Sequence, residues 1–277
     1  MREFFTTLMR RRLVRFGVVA LAALALLALL IPLLSPYDPG TLDIAIRLRA
    51  PSAAHWFGTD EFGRDVLTRV LFGGRYSLAV GALVVLIATV CGVAMGLVAG
   101  FFSRLDAPVM RLVDALMALP DILLAIALLA ILGASLLNVV LALAIVYTPR
   151  MARIVRASTL VVRQLLYVEA ARALGVPTWR ILLVHILGNT LSPILVQASF
   201  IFAYAILAEA GLSFLGLGVP PELPTWGTMI ASGQNYSDQA MWLVLFPGLA
   251  IVLAALSLQM VGDGLRDMLD PRLRKSL

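Results

Sequence analysis

The chain has 277 residues, of which 61% are hydrophobic and 14% charged, and its mean hydropathy is +0.97. A water-soluble globular protein is excluded, and with about 20 apolar residues needed per helical crossing there is room for roughly five to eight spans and little soluble domain. The net charge of +6 rests on 22 basic residues that flank apolar runs instead of forming one basic domain, which argues against a nucleic-acid partner.

The first apolar run, Phe16 to Leu34, follows Arg10, Arg11, Arg12 and Arg15 and ends in Ser35-Pro36-Tyr37 without a small-x-small cleavage pattern. It reads as an uncleaved transmembrane helix. Residues 35 to 77 follow as a strap opened by Pro36, Pro39 and Pro51 and closed by Arg64 to Tyr76, where Val66, Leu67, Val70 and Leu71 share a helical face. An interfacial helix is expected there, serving either as a connector on the membrane or as a contact surface for an external partner.

The second span, Leu78 to Phe102, carries Gly92, Gly96 and Gly100 at four-residue spacing. Such a ridge lets another helix approach closely, either within this chain or on a second membrane subunit. The single cysteine, Cys91, lies in the same run and is read as core; alone, it rules out an intramolecular disulfide framework and a cysteine-based zinc site. The third span is expected over Ala118 to Ala134, with Asp121 after Pro120 at the helix start, where a carboxylate complements the positive dipole end.

A fourth span runs from Leu136 to about Ile154, and the stretch from Gln164 to Asn189 then reads as helix, turn, helix. The first helix ends at Leu174, Gly175 takes the left-handed position, Pro177 prevents continuation, and Thr178 caps a helix starting at Trp179. A short helix with a small face at Ala170, Ala171 and Ala173, and with Glu169 and Arg172 available for charge-assisted bonds, suits a groove on a soluble partner.

Ile186 to Ala208 and Met241 to Gly262 are the fifth and sixth spans. Glu209 near the end of the fifth is either a structural or headgroup-level carboxylate or part of the mouth of a pathway, and Asn189, Ser192, Gln197, Ser199 and Tyr204 are further polar groups on that span. His55 and His185 read as packing or interfacial residues, since neither has a second ligand at helical spacing. With a cytoplasmic N-terminus, 17 of the 22 basic residues fall on the inside, so both termini are expected in the cytoplasm.

Four segments carry a resemblance. Glu169-Ala170-Ala171 followed three residues later by Gly175 resembles the EAA loop of ATP-binding-cassette importer permeases. His55 to Asp65, Glu209 to Gly218 and Gly262 to Arg272 resemble the signatures of the C-type membrane subunit in the dipeptide, oligopeptide and nickel permease family. Together they extend over most of the chain and stand in that family's order. One departure is Leu187-Gly188-Asn189, where the family usually has Leu-Pro-Asn; glycine is expected to break the helix there, with a looser entry to the fifth span.

The resemblance implies an all-α, six-span, type I importer permease fold. Residues 1–74 would form an N-terminal helix with strap and interfacial helix, 75–264 the permease core with its EAA loop at 164–189, and 265–277 a cytoplasmic tail. It implies a bacterial inner-membrane importer of five parts: two related permease subunits, two cytoplasmic ATPases and an external binding protein, with peptide as the expected cargo and nickel or glutathione as alternatives. Glu169, Ala170, Ala171, Arg172 and Gly175 would then couple to the ATPase, and Glu209, Gln197, Ser199 and Tyr204 are pathway candidates. The sequence has no G-x-x-x-x-G-K-[ST] loop, so ATP is expected on partner subunits, with no cofactor and no metal bound by this chain and no enzymatic activity of its own.

Two other classes fit less well. An ion-coupled secondary transporter would use Glu209 and Asp121 as carriers, but the halves show no inverted repeat. For a membrane hydrolase, Gly211 to Gly216 misses the G-x-S-x-G pattern by one residue.

Overall fold

The computed structural model describes residues 11–269. Arg2 and Arg10, the Asp270-Pro271-Arg272 end of the last motif and the tail after Leu269 lie outside the described residues. Among the described residues the chain is helical, without a β-strand. Five helices are long and apolar enough to cross a membrane, and a sixth crossing is made if one sharply bent pair is counted.

Helix α1 is Arg12–Leu34 and α2 is Val66–Phe101. The 36 residues of α2 make a rod of about 54 Å, far longer than a hydrocarbon core of about 30 Å. The interfacial helix expected over Arg64 to Tyr76 is therefore corrected: it is the first part of this span. Asp65 caps it by accepting from the Thr68 backbone N–H at 2.8 Å, and no breaker separates the cap from the apolar run. Val66 and Val70 are fully covered, packed against Trp226 and Ala203 rather than lying on a membrane surface.

The strap folds tightly onto the same end of the bundle. Asp60 accepts from the backbone N–H groups of Phe62 and Arg64 at 2.9 Å each and from Arg64 Nε at 2.6 Å. Gly63 adopts φ +78°, and a Cβ there would lie 1.7 Å from the Asp43 carbonyl oxygen, so only glycine fits. Phe57 stacks on Phe246 with ring centroids 3.8 Å apart, and Trp242 Nε1 donates to the Thr59 carbonyl at 3.1 Å. The motif from His55 to Asp65 thus joins the start of α2 to the start of the last span.

Helix α3, Ser103–Met117, and α4, Asp121–Leu132, are the bent pair, meeting at 91°. The third apolar run is therefore realised as 12 helical residues, about 18 Å, fed by an amphipathic helix. Pro120 stands at the N-cap of α4 and Asp121 opens its first turn, as read from the sequence. Helix α5 is Leu136–Val162, and α6 is the short Leu166–Ala173.

The fifth span, α7, is continuous over Thr178–Phe214, starting eight residues before the Ile186 of the sequence reading. Two expectations fail here. Pro177 occupies the cap position and Thr178 is already helical, with no side-chain cap bond. The helix also passes through Gly188, because the irregularity sits one turn earlier, in a π-helical stretch over Ile181–Ile186. A Cβ at Gly188 would meet nothing within 4 Å. Gly188→Ala is accordingly expected to stabilise the chain by about 0.5–1 kcal/mol through reduced unfolded-state freedom, read as a raised thermal midpoint in detergent; a lowered midpoint would show that the chain needs a weak point there.

Helix α8, Trp226–Gln234, lies between the fifth and sixth spans. Its signal was local: Thr225 and Thr228 form a reciprocal capping box, and Trp226 is buried with Nε1 donating to the Val70 carbonyl at 2.8 Å. The last span, α9, is Trp242–Leu269.

Both described ends lie on one side of the bundle, hereafter the terminal side. Arg11 pairs with Asp267, and the backbone at Gly17 and Gly264 approaches Ser257 and Val14 across the α1–α9 contact. The glycine ridge faces inward: Cβ atoms at Gly92, Gly96 and Gly100 would come within 2.6 Å of Met151, Val155 and Thr159 respectively, so the ridge packs on α5 of this same chain. Cys91, expected in the core, is exposed on the outward face of α2, one residue round from the ridge.

Candidate functional site

Helix α6 stands on the terminal side, between the end of α5 and the start of α7. Its C-terminus is a Schellman motif: Gly175 N–H donates to the Arg172 carbonyl and Val176 N–H to the Ala171 carbonyl, each at 3.0 Å, with Gly175 at φ +76°. The turn foreseen at Gly175 is thus present with its left-handed residue. Val168 and Ala171 are buried against the bundle. Glu169, Ala170, Arg172 and Gly175 face outward, so the five coupling candidates lie together on one short helix and its turn.

Three contacts hold that helix in place, and the sequence reading missed all three. Arg163 Nη1 donates to the Gly100 carbonyl at 2.7 Å, placing a cation at the C-terminal carbonyls of α2. Arg172 lies over the Phe101 ring at 4.7 Å. Tyr167 donates its hydroxyl to the His185 carbonyl at 3.2 Å, an acceptor that also receives Asn189 Nδ2 at 2.7 Å within the π-helical part of α7. His185 and Asn189 are therefore satisfied structurally. The aromatic and backbone partners left no sequence signal because they are long-range.

The surface around α6 also leaves large apolar side chains uncovered. Leu166 is 82% exposed, Leu174 83% and Trp179 58%, three large side chains on a surface that otherwise carries Glu169 and Arg180. An apolar patch rimmed by charge, on a helix fixed at both ends, fits a groove on another protein.

The four pathway candidates share α7 but not an environment. Gln197 lines an open cleft of about 410 Å³ with Ser192, Phe200 and Arg266. The Ser199 hydroxyl donates to the Val196 carbonyl at 2.7 Å and sits against Gly262 of α9. Tyr204 is 41% exposed. Glu209 is fully buried, its Oε1 accepting from the hydroxyls of Ser213 and Thr225 at 2.8 Å each, which ties α7 to the cap of α8. The structure does not gather these four into one site.

A ladder of ion pairs fastens the bent pair to the terminal half of α5. Arg156 meets Asp106 at 2.6 Å, Arg153 meets Asp114 at 2.6 Å, and Arg150 meets Asp121. The Arg150 guanidinium also stands 5.7 Å from the Tyr147 ring and 5.5 Å from the Tyr204 ring.

Residues 88–275 match the family described as the inner membrane component of binding-protein-dependent transport systems. The chain belongs to that family. Residues 1–51 match the N-terminal transmembrane domain of oligopeptide transport permease C. A putative peptide transport system permease protein of Brucella suis is 50% identical over 267 residues, covering 96% of this chain and 90% of the relative. The dipeptide transport system permease protein of Alkalihalophilus pseudofirmus is 44% identical over 274 residues, 99% of this chain and 90% of that one. A glutathione transport system permease protein of Pectobacterium atrosepticum is 43% identical over 276 residues, with coverage of 99% and 91%. The chain is a multi-pass membrane transport permease that works with other components of such a system; the family is one of transport proteins, not enzymes.

Proposed function

We propose that this chain is one of two related permease subunits of a bacterial inner-membrane importer that takes up di- or oligopeptides delivered by an external binding protein. Both termini and α6 lie in the cytoplasm, the excess of basic residues on that side supporting the orientation. The observation that carries the reading is α6 and its flanks: exposed Leu166 and Leu174 at the two ends of the short helix, exposed Trp179 at the start of α7, and anchorage to α2 through Arg163 just before the helix and Arg172 on it. Two cytoplasmic ATPases bind there and at the equivalent helix of the second permease. ATP is hydrolysed on those partners, and this chain binds no cofactor, metal or nucleic acid.

The transport core takes in the whole of α2 and so begins at Val66 instead of residue 75, running to 264, with the first helix and the strap peripheral and 265–277 as a cytoplasmic tail. Closure of the ATPases pushes on Glu169 to Gly175 and shifts the balance between inward- and outward-open bundles, which requires that the contacts of α6 differ between the two states. Gly175 sets the angle between α6 and α7. Gln197, Ser199, Tyr204 and Glu209 are candidates to meet solute as the bundle rocks. Peptide is preferred as cargo because the relatives from Brucella suis and Alkalihalophilus pseudofirmus are named for peptide transport, with glutathione and nickel as the alternatives.

The test is co-reconstitution with the second permease, the ATPases and the binding protein in liposomes, following labelled dipeptide. Uptake that needs both ATP and the binding protein is expected. ATP-dependent uptake of nickel or glutathione without dipeptide would keep the architecture and change the cargo, whereas ion-gradient-driven uptake by this chain alone would overturn the reading.

A further inference from the structure

We infer that α3 lies in the plane of the membrane border on the terminal side and that Arg104 and Arg111 on it hold the headgroups of anionic phospholipids. Its orientation follows from the helices around it. Helix α4 runs antiparallel along α5: Asn138 Nδ2 donates to the Leu132 carbonyl at 2.7 Å at one end, and Arg150 pairs with Asp121 at the other. Because α5 is a span, α4 stands across the bilayer beside it, and the 91° elbow between Met117 and Asp121 turns α3 parallel to the membrane surface. The ion pairs agree. Asp106 and Asp114 are about 12 Å apart along α3, yet their partners Arg156 and Arg153 are about 4.5 Å apart along α5, as when one helix crosses another.

The crossing falls where α5 changes character. Leu136 to Pro149 carry no charge, and Arg150, Arg153 and Arg156 then follow within two turns, which marks the border between hydrocarbon and headgroups. The elbow and the start of α4 expose Leu119, Ile122 and Leu123, so the helix that α3 leads into is itself lipid-facing.

Around α3 the residues are sorted by chemistry. Successive residues are about 100° apart, so Arg104 and Arg111 share one face, and Leu105 and Leu112 share the next. All four are exposed. Val113 is buried against the bundle, and Asp106 and Asp114 are engaged by arginines of α5. The acids of the helix are thus taken, while among the described residues neither Arg104 nor Arg111 has an ion-pair partner. A helix lying in the interface with this arrangement lowers its leucines among the acyl chains and holds its arginines at the level of the phosphates. The guanidinium fork matches phosphate oxygens, and the negative surface of a leaflet rich in anionic lipid supplies them.

The experiment uses the reconstituted complex, with this chain carrying Ala115→Cys in a Cys91→Ser background and labelled with a fluorophore before assembly; Ala115 is exposed one turn beyond Arg111. The vesicles are mixed phosphatidylcholine and phosphatidylglycerol, and one or the other lipid carries a spin-label quencher near the top of its acyl chain. Quenching by labelled phosphatidylglycerol is expected to exceed that by labelled phosphatidylcholine at the same mole fraction by about threefold or more. In about 1 M salt, where the screening length is about 3 Å, the preference should fall towards parity. R104Q/R111Q is expected to abolish it, and R104K/R111K, which keeps both charges, to retain most of it.

Equal quenching by the two lipids with both arginines in place overturns the headgroup assignment, and that comparison holds however the variants assemble. A preference unchanged in R104Q/R111Q would assign it to other cations and overturns it as well. Quenching by neither lipid would place α3 away from the bilayer, in water or against an ATPase, and overturns the whole inference. None of these readouts involves cargo, so the inference stands or falls apart from the peptide reading.

Discussion

Gly96→Val is expected to prevent recovery of the folded chain. A Cβ at this position would stand 2.6 Å from the Ala152 carbonyl oxygen, 2.6 Å from Val155 Cβ and 2.9 Å from the Arg156 backbone nitrogen, and two of those three are main chain that cannot swing aside. Even one added methylene in a packed core costs about 1–3 kcal/mol, and valine adds three carbons at the closest approach of α2 and α5. Those two helices form the most extensive contact in the bundle, with Val84, Leu143 and Met151 buried along it. The measurement is the yield of monodisperse protein after detergent extraction, beside Gly188→Ala as a glycine change with open space around it. Wild-type yield of Gly96→Val would mean that α2 and α5 are further apart than the structure places them.

Gly175→Val is expected to act differently, leaving the fold and impairing coupling. Nothing lies within 4 Å of a Cβ here, so the penalty is purely that of a left-handed backbone at φ +76°, about 1–2 kcal/mol for an L-residue and more for a β-branched one. The chain relieves it by rotating out of that region, which breaks the Val176 to Ala171 hydrogen bond and swings α6 away from the Tyr167 contact with α7. A change of about 1.4 kcal/mol is tenfold in an equilibrium, so binding-protein-stimulated ATP turnover of the assembled complex is expected to fall about tenfold. Gly175→Asn, which tolerates the left-handed region, should retain most of the stimulation. Equal turnover in the wild-type and valine complexes would show that the angle at Gly175 does not transmit force.

The turn that ends α6 was readable in the sequence because its determinants are local. A helix stop at Gly175, a proline two residues on, and a short, charged helix before them depend on residues a few positions apart, and backbone dihedrals enforce them without help from the rest of the bundle. The second half of the same loop was misread for the converse reason. Thr178 has the chemistry of a cap and Gly188 that of a break, yet the hydrogen bonds of a long span surrounded by other helices favour continuing the helix through both, and the irregularity moves to a π-helical stretch whose His185 carbonyl accepts from Tyr167 and Asn189. Residues 64–76 make the same point: their apolar face resembles that of an interfacial helix, and only the burial of Val66 and Val70 beneath Trp226 shows that it belongs to the core.

By itself the sequence determined that this protein lives in a membrane, how many apolar runs it has, which side carries the basic excess, and where α6 turns. These follow from composition, length and local backbone chemistry, each evaluated over a few residues to a few tens. Tertiary structure alone decided that the glycine ridge meets α5 of the same chain, that Glu209 is buried beneath the cap of α8, and that Arg150 finds Asp121, 29 positions away in the chain, with Tyr204 alongside. Each of these pairs residues from different helices. Periodicity shows which face of a helix is small or polar, but the neighbour that face meets is chosen by the packing of the whole bundle.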